Sequence, residues 1–495
     1  MEKNRITSFQ LFALMLLFQM GTSLVVNLGM RAGRDAWISI LLGMGYGLLL
    51  FGVFAFLYRL FPGMLPTVYT QILFGKYLGW VVGVVFIVFF VYQTGRDLRD
   101  GGALMLSTAL KQTPLIVVNG LMIMSVAYVI HKGIEVLART AIIFAVVVIL
   151  IGSFSSILLI LSGVIEMERI FPILGRGIGP VLETFYRQSY AFPFSEIICF
   201  SMLLPYLGNA KTGVKAGYIA ILVSGIILSY TSMINVAVLG VDMVQRSPLP
   251  LMTTISKASI SDFIQRNDIL IVMTLIIDDF FKVGIYFYVA LIGTADLFKI
   301  AYRKLIYPMA LLVLLISLVV AKSLPEHLEE GAEILYRIDP FFFVVIPLIL
   351  YIAGWIYKWR TASKKKAASS GGQLQSSAEP HGAEGAEAKQ PEDTQGSDAN
   401  QAQGTQGSDA NQAQGTQGSD AGQPQGAQGS DAKQAQGTKG SDAGQQEDTQ
   451  GAEAEQPEDT QDAQLAGSKR GSGKDQAVPD PGSEAEPTRG KTSED

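Results

Sequence analysis

Gln19-Met20-Gly21-Thr22-Ser23 lies in the middle of an apolar stretch running from residue 9 to about 30. Ser189-Tyr190-Ala191-Phe192-Pro193-Phe194-Ser195-Glu196 lies in the middle of another, from about 181 to 207. These are the first and sixth of about ten apolar stretches in the first 360 residues. Helices interrupted at corresponding places, five spans apart, are the sequence mark of an inverted-repeat transporter fold with a binding site near the bilayer midplane. The pattern predicts an all-α membrane protein built to hold a small molecule.

A membrane span needs roughly 20 apolar residues to cross about 30 Å of hydrocarbon. Working outward from the two breaks, spans are predicted near 9–30, 37–60, 77–98, 114–131, 140–162, 181–207, 214–238, 269–295, 306–322 and 341–358. The third and eighth are expected to continue as longer helices past the bilayer surface. The first stretch is too long for a signal core, has no small-residue cleavage site after it and is followed by further spans, so it is expected to stay.

Beyond Trp359 there is no Phe, Trp or Tyr, and Leu374, Leu465 and Val478 are the only large aliphatic residues. A transmembrane domain over 1–360 and a tail over 361–495 follow from that change. The tail repeats with a period of 11 residues, in 393–403, 404–414, 415–425 and 426–436, with degenerate copies to about 458. No repeat position holds an apolar residue larger than Ala, so nothing drives packing, and a disordered, solvated tail is expected. Residues 367–495 hold 8 basic and 23 acidic side chains, so the formal net charge of −5 hides a membrane part near +10.

With an even number of spans both termini share a face. That face carries Lys3, Arg5, Arg59, Lys76, Lys132, Arg139, Lys211, Lys215, Lys299, Arg303, Lys304 and the cluster from Lys358 to Lys366. The opposite loops mix bases with acids such as Glu326, Glu329, Glu330 and Glu333. The positive-inside rule therefore places both termini in the cytoplasm. The basic cluster reads as an anchor drawn to anionic lipid, not as a nucleic-acid site.

Polar residues inside spans carry the chemistry. The eighth span contains Asp278, Asp279, Lys282 and Tyr286, and each ion at a span centre costs about 2.5–3.5 kcal/mol on insertion scales. At helical spacing Asp278, Lys282 and Tyr286 share a face, with Asp279 one turn from Lys282. An Asp–Lys pair on that face is expected to lower the cost. Two readings stay open: an internal ion pair that fixes helix packing, or a substrate or coupling-ion contact. The first break offers Gly21, Thr22 and Ser23, which add hydroxyls and whose freed amides and half-helix dipole end suit a carboxylate, although small residues also serve plain helix packing. The second adds Phe194, Ser195 and Glu196 behind Pro193, which removes an amide donor. The alternative there is a proline kink with a satisfied Glu.

Arg96, Asp97, Arg99 and Asp100 read as a solvated cluster at the membrane interface, with an arm to the cavity mouth or a partner as the alternative. Cys199 is the one cysteine and reads as a small packing residue. The three histidines are scattered, and there is no P-loop, metal-ligand spacing or nucleophile motif, so neither an enzyme nor a metal or cofactor site is expected.

Several segments resemble the B subunits of spore germination receptors: Ile6-Thr7-Ser8-Phe9-Gln10-Leu11, the Gly21-Thr22 break, Gly33-Arg34-Asp35-Ala36-Trp37-Ile38-Ser39, Lys111-Gln112-Thr113-Pro114-Leu115, Gly133-Ile134-Glu135-Val136-Leu137-Ala138-Arg139, and Phe194 to Glu196 with Pro205. The similarity covers residues 1 to about 358, and Asp-Ala-Trp-Ile-Ser and Gly-Ile-Glu-Val-Leu-Ala-Arg are its most specific parts. It implies ten transmembrane helices in the leucine-transporter-like five-plus-five inverted repeat of the amino acid–polyamine–organocation superfamily, in the inner membrane of a dormant spore. It further implies an A subunit and a C-subunit lipoprotein as partners. The implied task is to bind a small germinant, most often an amino acid, sometimes a sugar or nucleoside, and to signal its presence. Some members of that family place a Thr where this chain has Lys282, so a germinant contact there is not carried over unchanged. The repetitive tail lies outside the resemblance.

The expected ligand site is therefore Gly21, Thr22, Ser23, Phe194, Ser195, Glu196, Asp278, Lys282 and Tyr286. A stand-alone amino-acid transporter coupled to a proton or sodium gradient, with Lys282 or Glu196 as the coupling group, is the alternative.

Overall fold

The structure, a computed structural model, describes residues 5–258, 268–320 and 324–376. The expectations for the repetitive tail fall outside the described residues, while residues 361–376, expected to begin a disordered tail, are the last turns of a helix. Among those residues every regular element is helical, and the only strand-like pairing is a single bridge between Ile6 and Leu207.

The helices follow the predicted spans: α1 (Ser8–Met20), α2 (Ala36–Leu60), α3 (Pro66–Phe74), α4 (Lys76–Thr108), α5 (Leu115–Lys132), α6 (Ile134–Leu161), α7 (Gly179–Thr184), α8 (Ala210–Leu239), α9 (Val241–Arg246), α10 (Pro250–Ser256), α11 (Asp268–Phe298), α12 (Tyr302–Val319), α13 (Leu324–Arg337) and α14 (Ile346–Ser376). Seven are long and apolar enough to cross a membrane: the segments containing α2, α4, α5, α6, α8, α12 and α14. As expected, α4 and α11 are long, at 33 and 31 residues. The short helices α3, α9, α10 and α13 were not foreseen; each lies in a connection that lacks a span-length apolar run.

The remaining three predicted spans each depart from an uninterrupted apolar helix. The first is a 13-residue helix that stops at Gly21. Its start is locked by a capping box, in which the Gln10 amide donates to the Thr7 hydroxyl and the Thr7 amide donates to the Gln10 side-chain oxygen. Gly21 then takes φ +27°, a conformation that a side chain disfavours, and the chain passes through a 3₁₀ turn over Thr22–Leu24. The sixth span begins as α7, widens into a π-helical turn over Phe185–Ser189, loses regular structure to Ser195 and resumes as 3₁₀ helix over Glu196–Met202. The eighth, α11, is continuous but carries Asp278, Asp279 and Lys282 in its buried interior.

The two interrupted segments are tied together. The Ile6 amide donates to the Tyr206 carbonyl at 2.8 Å and the Gly208 amide donates to the Ile6 carbonyl at 3.1 Å. Helix α1 also packs along α8, α6 and α11, which places it at the centre of the bundle. Helix α2 closes over the sixth-span break because Gly43 and Gly47 have no side chain. A Cβ at Gly43 would stand 2.2 Å from the Ser189 carbonyl oxygen, and one at Gly47 would stand 3.0 Å from the Phe194 Cβ. Beside them the Ser39 and Ser189 hydroxyls share a hydrogen bond of 2.8 Å.

Candidate functional site

Where the first break, the sixth break and α11 meet, Lys282 reaches across from α11. Its ammonium lies 3.1 Å from Asp97 Oδ1 on α4 and 3.0 Å from Glu196 Oε2, with a hydrogen bond of 3.3 Å to Glu196 Oε1. All three residues are at most 5 % exposed. The ammonium also stands over the Phe192 ring, 4.6 Å from its centroid, and 6.0 Å from that of Phe18. Two carboxylates therefore face one ammonium, with aromatic faces completing the enclosure. An ion pair this buried is tolerated only when its members are mutually compensated.

The Lys282 stem lies in the notch left by Gly21, where a Cβ would stand 2.8 Å from Lys282 Cδ. The first break thus serves the lysine directly, by removing the side chain that would displace it. The carbonyls released at the end of α1 are satisfied locally, since the Ser23 hydroxyl lies 2.5 Å from the Gln19 oxygen and 2.6 Å from the Met20 oxygen. At the sixth break the Ser195 hydroxyl likewise donates to the Tyr190 carbonyl at 2.5 Å.

Outward from the triad opens a cavity of about 430 Å³. Asp97 and Glu196 form part of its wall, with Thr22, Gln93, Gln188 and Phe192 around them. Further out the wall is made by the loop after α9 and by Gly331, Ile334 and Asp339 at and beyond α13. Thr22, Val26 and Asn27 in the lining follow the C-terminal end of α1, so the cavity lies at the end of α1 away from Ile6, and its other rim segments come after α8 and α12. Asp339 lies outside the spans, and burial raises its carboxyl to about 7, with the nearby Arg96 cation working in the other direction.

The sequence reading and this geometry agree in part. Thr22 and Glu196 line the cavity, and Lys282 reaches its inner wall through Asp97 and Glu196. Gly21 acts behind Lys282, and Ser23 borders a smaller crevice toward α8. Phe194 and Ser195 are fully buried behind the sixth break. Tyr286 is fully buried and packs its ring against Phe18, with centroids 5.0 Å apart.

Two expectations need correction. Lys282 pairs with Asp97 and Glu196, not with Asp278 on its own helix. Asp278 and Asp279 are fully buried and none of their carboxylate oxygens has a hydrogen-bond partner. Asp279 points instead at α4, where a Cβ on Gly101 would overlap its Oδ2 at 1.7 Å. The second correction concerns Arg96 to Asp100, which is not a solvated interfacial cluster. Helix α4 continues to Thr108, so these residues sit within it, and Asp97 and Arg99 are 5 % and 7 % exposed. The alternative reading, an arm at the cavity, fits Arg96 and Asp100, which line it. Asp97 is the triad member that the sequence reading left out of the expected site. The signal was present in Gln93-Asp97-Gly101, spaced four apart on one face of the helix.

A family model described as "Spore germination protein" matches residues 5–324. The chain belongs to that family. Among its relatives, spore germination protein KB of Bacillus subtilis (strain 168) is 40 % identical over 372 residues, which cover 74 % of this chain and all of that protein. Spore germination protein YndE of the same organism is 26 % identical over 340 residues, 67 % of this chain and 89 % of that one. Among solved structures, Mhp1, a nucleobase-cation-symport-1 family transporter captured in a closed conformation with bromovinylhydantoin bound, superposes with a TM-score of 0.54 at 11 % identity. That superposition covers 72 % of this chain and 90 % of Mhp1.

The family resemblance read from the motifs is thereby borne out, and the chain shares the leucine-transporter-like fold of Mhp1. Its seven apolar helices and its relatives make it a multi-pass membrane protein. Family membership covers the whole triad, since Asp97, Glu196 and Lys282 all fall within the matched residues.

Proposed function

We propose that this chain is the membrane B subunit of a spore nutrient-germinant receptor, and that the cavity above Asp97, Glu196 and Lys282 holds the germinant. In this reading the chain crosses the spore inner membrane ten times in a five-plus-five repeat, with both termini in the cytoplasm. It works with an A subunit and a C-subunit lipoprotein. The ligand is a small polar molecule; amino acids are the class that the resemblance names most often.

One observation carries the proposal: two interrupted spans converge on a buried charge triad whose two carboxylates form part of the inner wall of a 430 Å³ cavity. Non-helical backbone at membrane depth is stable only where it lines a cavity or is buried in protein. A ligand bound there would touch the first break through Thr22, the sixth through Phe192 and Glu196, and α4 through Gln93 and Asp97. It would favour one packing of these segments over another, and the partner subunits would read that bias as the signal.

Gln93→Ala and Gln188→Ala test this, because both remove polar wall groups without touching the triad. In spores carrying either variant at wild-type abundance, the germinant concentration for half-maximal response should rise about tenfold or more, the loss of roughly one hydrogen-bonded group. Unchanged sensitivity at equal abundance would refute the site. Gradient-driven uptake by the purified chain alone would instead make it a stand-alone transporter.

A further inference from the structure

We propose that Asp97 and Glu196 form a binding subsite for a primary ammonium group, and that Lys282 occupies this subsite from inside the protein. The parts of an ammonium site are all present. Two carboxylates converge on one point, and the faces of Phe192 and Phe18 stand beside it. Both carboxylates also line the outer cavity, so the subsite adjoins a route for small molecules. Asp97 Oδ2 has no hydrogen-bond partner, which leaves acceptor capacity in the subsite.

The lysine fits this place as a tethered guest. Its stem runs through the notch at Gly21, whose missing side chain gives it room, and its ammonium ends between the carboxylates. Lys282 is fully enclosed, and Asp278 and Asp279 on the same helix make no ion pair with it, so both of its charge partners come from other segments. A free amine arriving from the cavity would meet the lysine's like charge at close range. Wild-type protein therefore keeps a second ammonium out of the point between the carboxylates, and a germinant, an amino acid included, meets Asp97 and Glu196 through neutral donors such as a side-chain hydroxyl or amide. The inference goes beyond the germinant reading: the subsite exists whether or not a germinant fills the outer cavity.

Lys282→Ala removes the side chain beyond Cβ, three carbons and the ammonium nitrogen, which n-propylammonium replaces atom for atom. The test uses the purified full chain in lipid nanodiscs, with thermal unfolding recorded against n-propylammonium and against 1-propanol, its neutral counterpart. Lys282→Ala should gain about 2–4 °C in Tm with the amine and not with the alcohol, and wild-type protein should gain neither. The triple variant Asp97→Asn/Glu196→Gln/Lys282→Ala, which has no charge left to satisfy, should accumulate and ignore the amine. An equal response of the wild-type or triple variant, or no response of Lys282→Ala, would overturn the proposal. So would failure of Lys282→Ala to accumulate with or without the amine in the growth medium while the triple variant accumulates. Because the readout is unfolding of the isolated chain, failure of the germinant site would leave this result unchanged.

Discussion

Neutralising the two carboxylates of the triad one at a time, and then together, should give strongly non-additive losses of stability. At separations of 3.0 and 3.1 Å each carboxylate attracts the Lys282 ammonium by a gross Coulomb energy of about 5 kcal/mol at an effective dielectric of 20. Repulsion between the carboxylates and the desolvation of each ion offset part of this. Asp97→Asn or Glu196→Gln leaves the ammonium with one partner, so each should cost about 1–3 kcal/mol, up to the lower end for a broken buried pair. The double variant leaves a buried cation with no counter-charge. Its cost should exceed the sum of the single losses by roughly 1–3 kcal/mol. Adding Lys282→Met to the double variant should recover most of the loss, since an apolar side chain of similar length removes the orphaned charge. Thermal unfolding of the purified chain in nanodiscs measures all four, at about 1–2 °C per kcal/mol for a folded part of this size. Single variants within 0.5 kcal/mol of wild type, or a double variant whose loss is merely additive, would refute the electrostatic reasoning.

Gly43→Ala places a methyl 2.2 Å from the Ser189 carbonyl oxygen, which is backbone and must shift, so it should cost about 1–3 kcal/mol. Gly45→Ala, two residues along the same helix with nothing within 4 Å, should be neutral or stabilising by up to about 1 kcal/mol; parallel melting curves compare the two. Asp339, raised to about 7 by burial, holds its proton in the folded protein over a range where the unfolded chain has released it. Its contribution to stability therefore falls as pH rises from about 4 to 7 and levels off above that. Asp339→Asn should flatten that part of the Tm–pH profile and raise Tm at pH 8; an unchanged profile would contradict the assignment.

The fold was largely legible because its decisive signals are local. Apolar runs mark spans whatever packs against them, and Gly21 and Pro193 break helices through their own backbone chemistry. The short connecting helices were hidden because nothing in their length or apolarity separates them from loop. The site was legible only as a list of polar residues at membrane depth. Which of them meet depends on helix rotation, and sequence spacing constrains that only within one helix. Asp278 and Lys282 are correctly placed one turn apart, yet the lysine side chain extends toward other helices and finds its partners there. Asp97 was concealed by its neighbours, since Arg96, Arg99 and Asp100 gave the segment the look of a wet interface. Glu196 was found because an acid beside Pro193 in an apolar run has few structural reasons to be there.

The account places a ligand against the inner wall formed by Asp97 and Glu196, between Thr22 of the first break and Phe192 of the sixth. The direct test is a structure of the full chain at saturating concentration of the compound that triggers germination through it. Ligand density in this cavity, within hydrogen-bond distance of either carboxylate, is the predicted result. Density at another position, with this cavity filled only by solvent, would contradict the account.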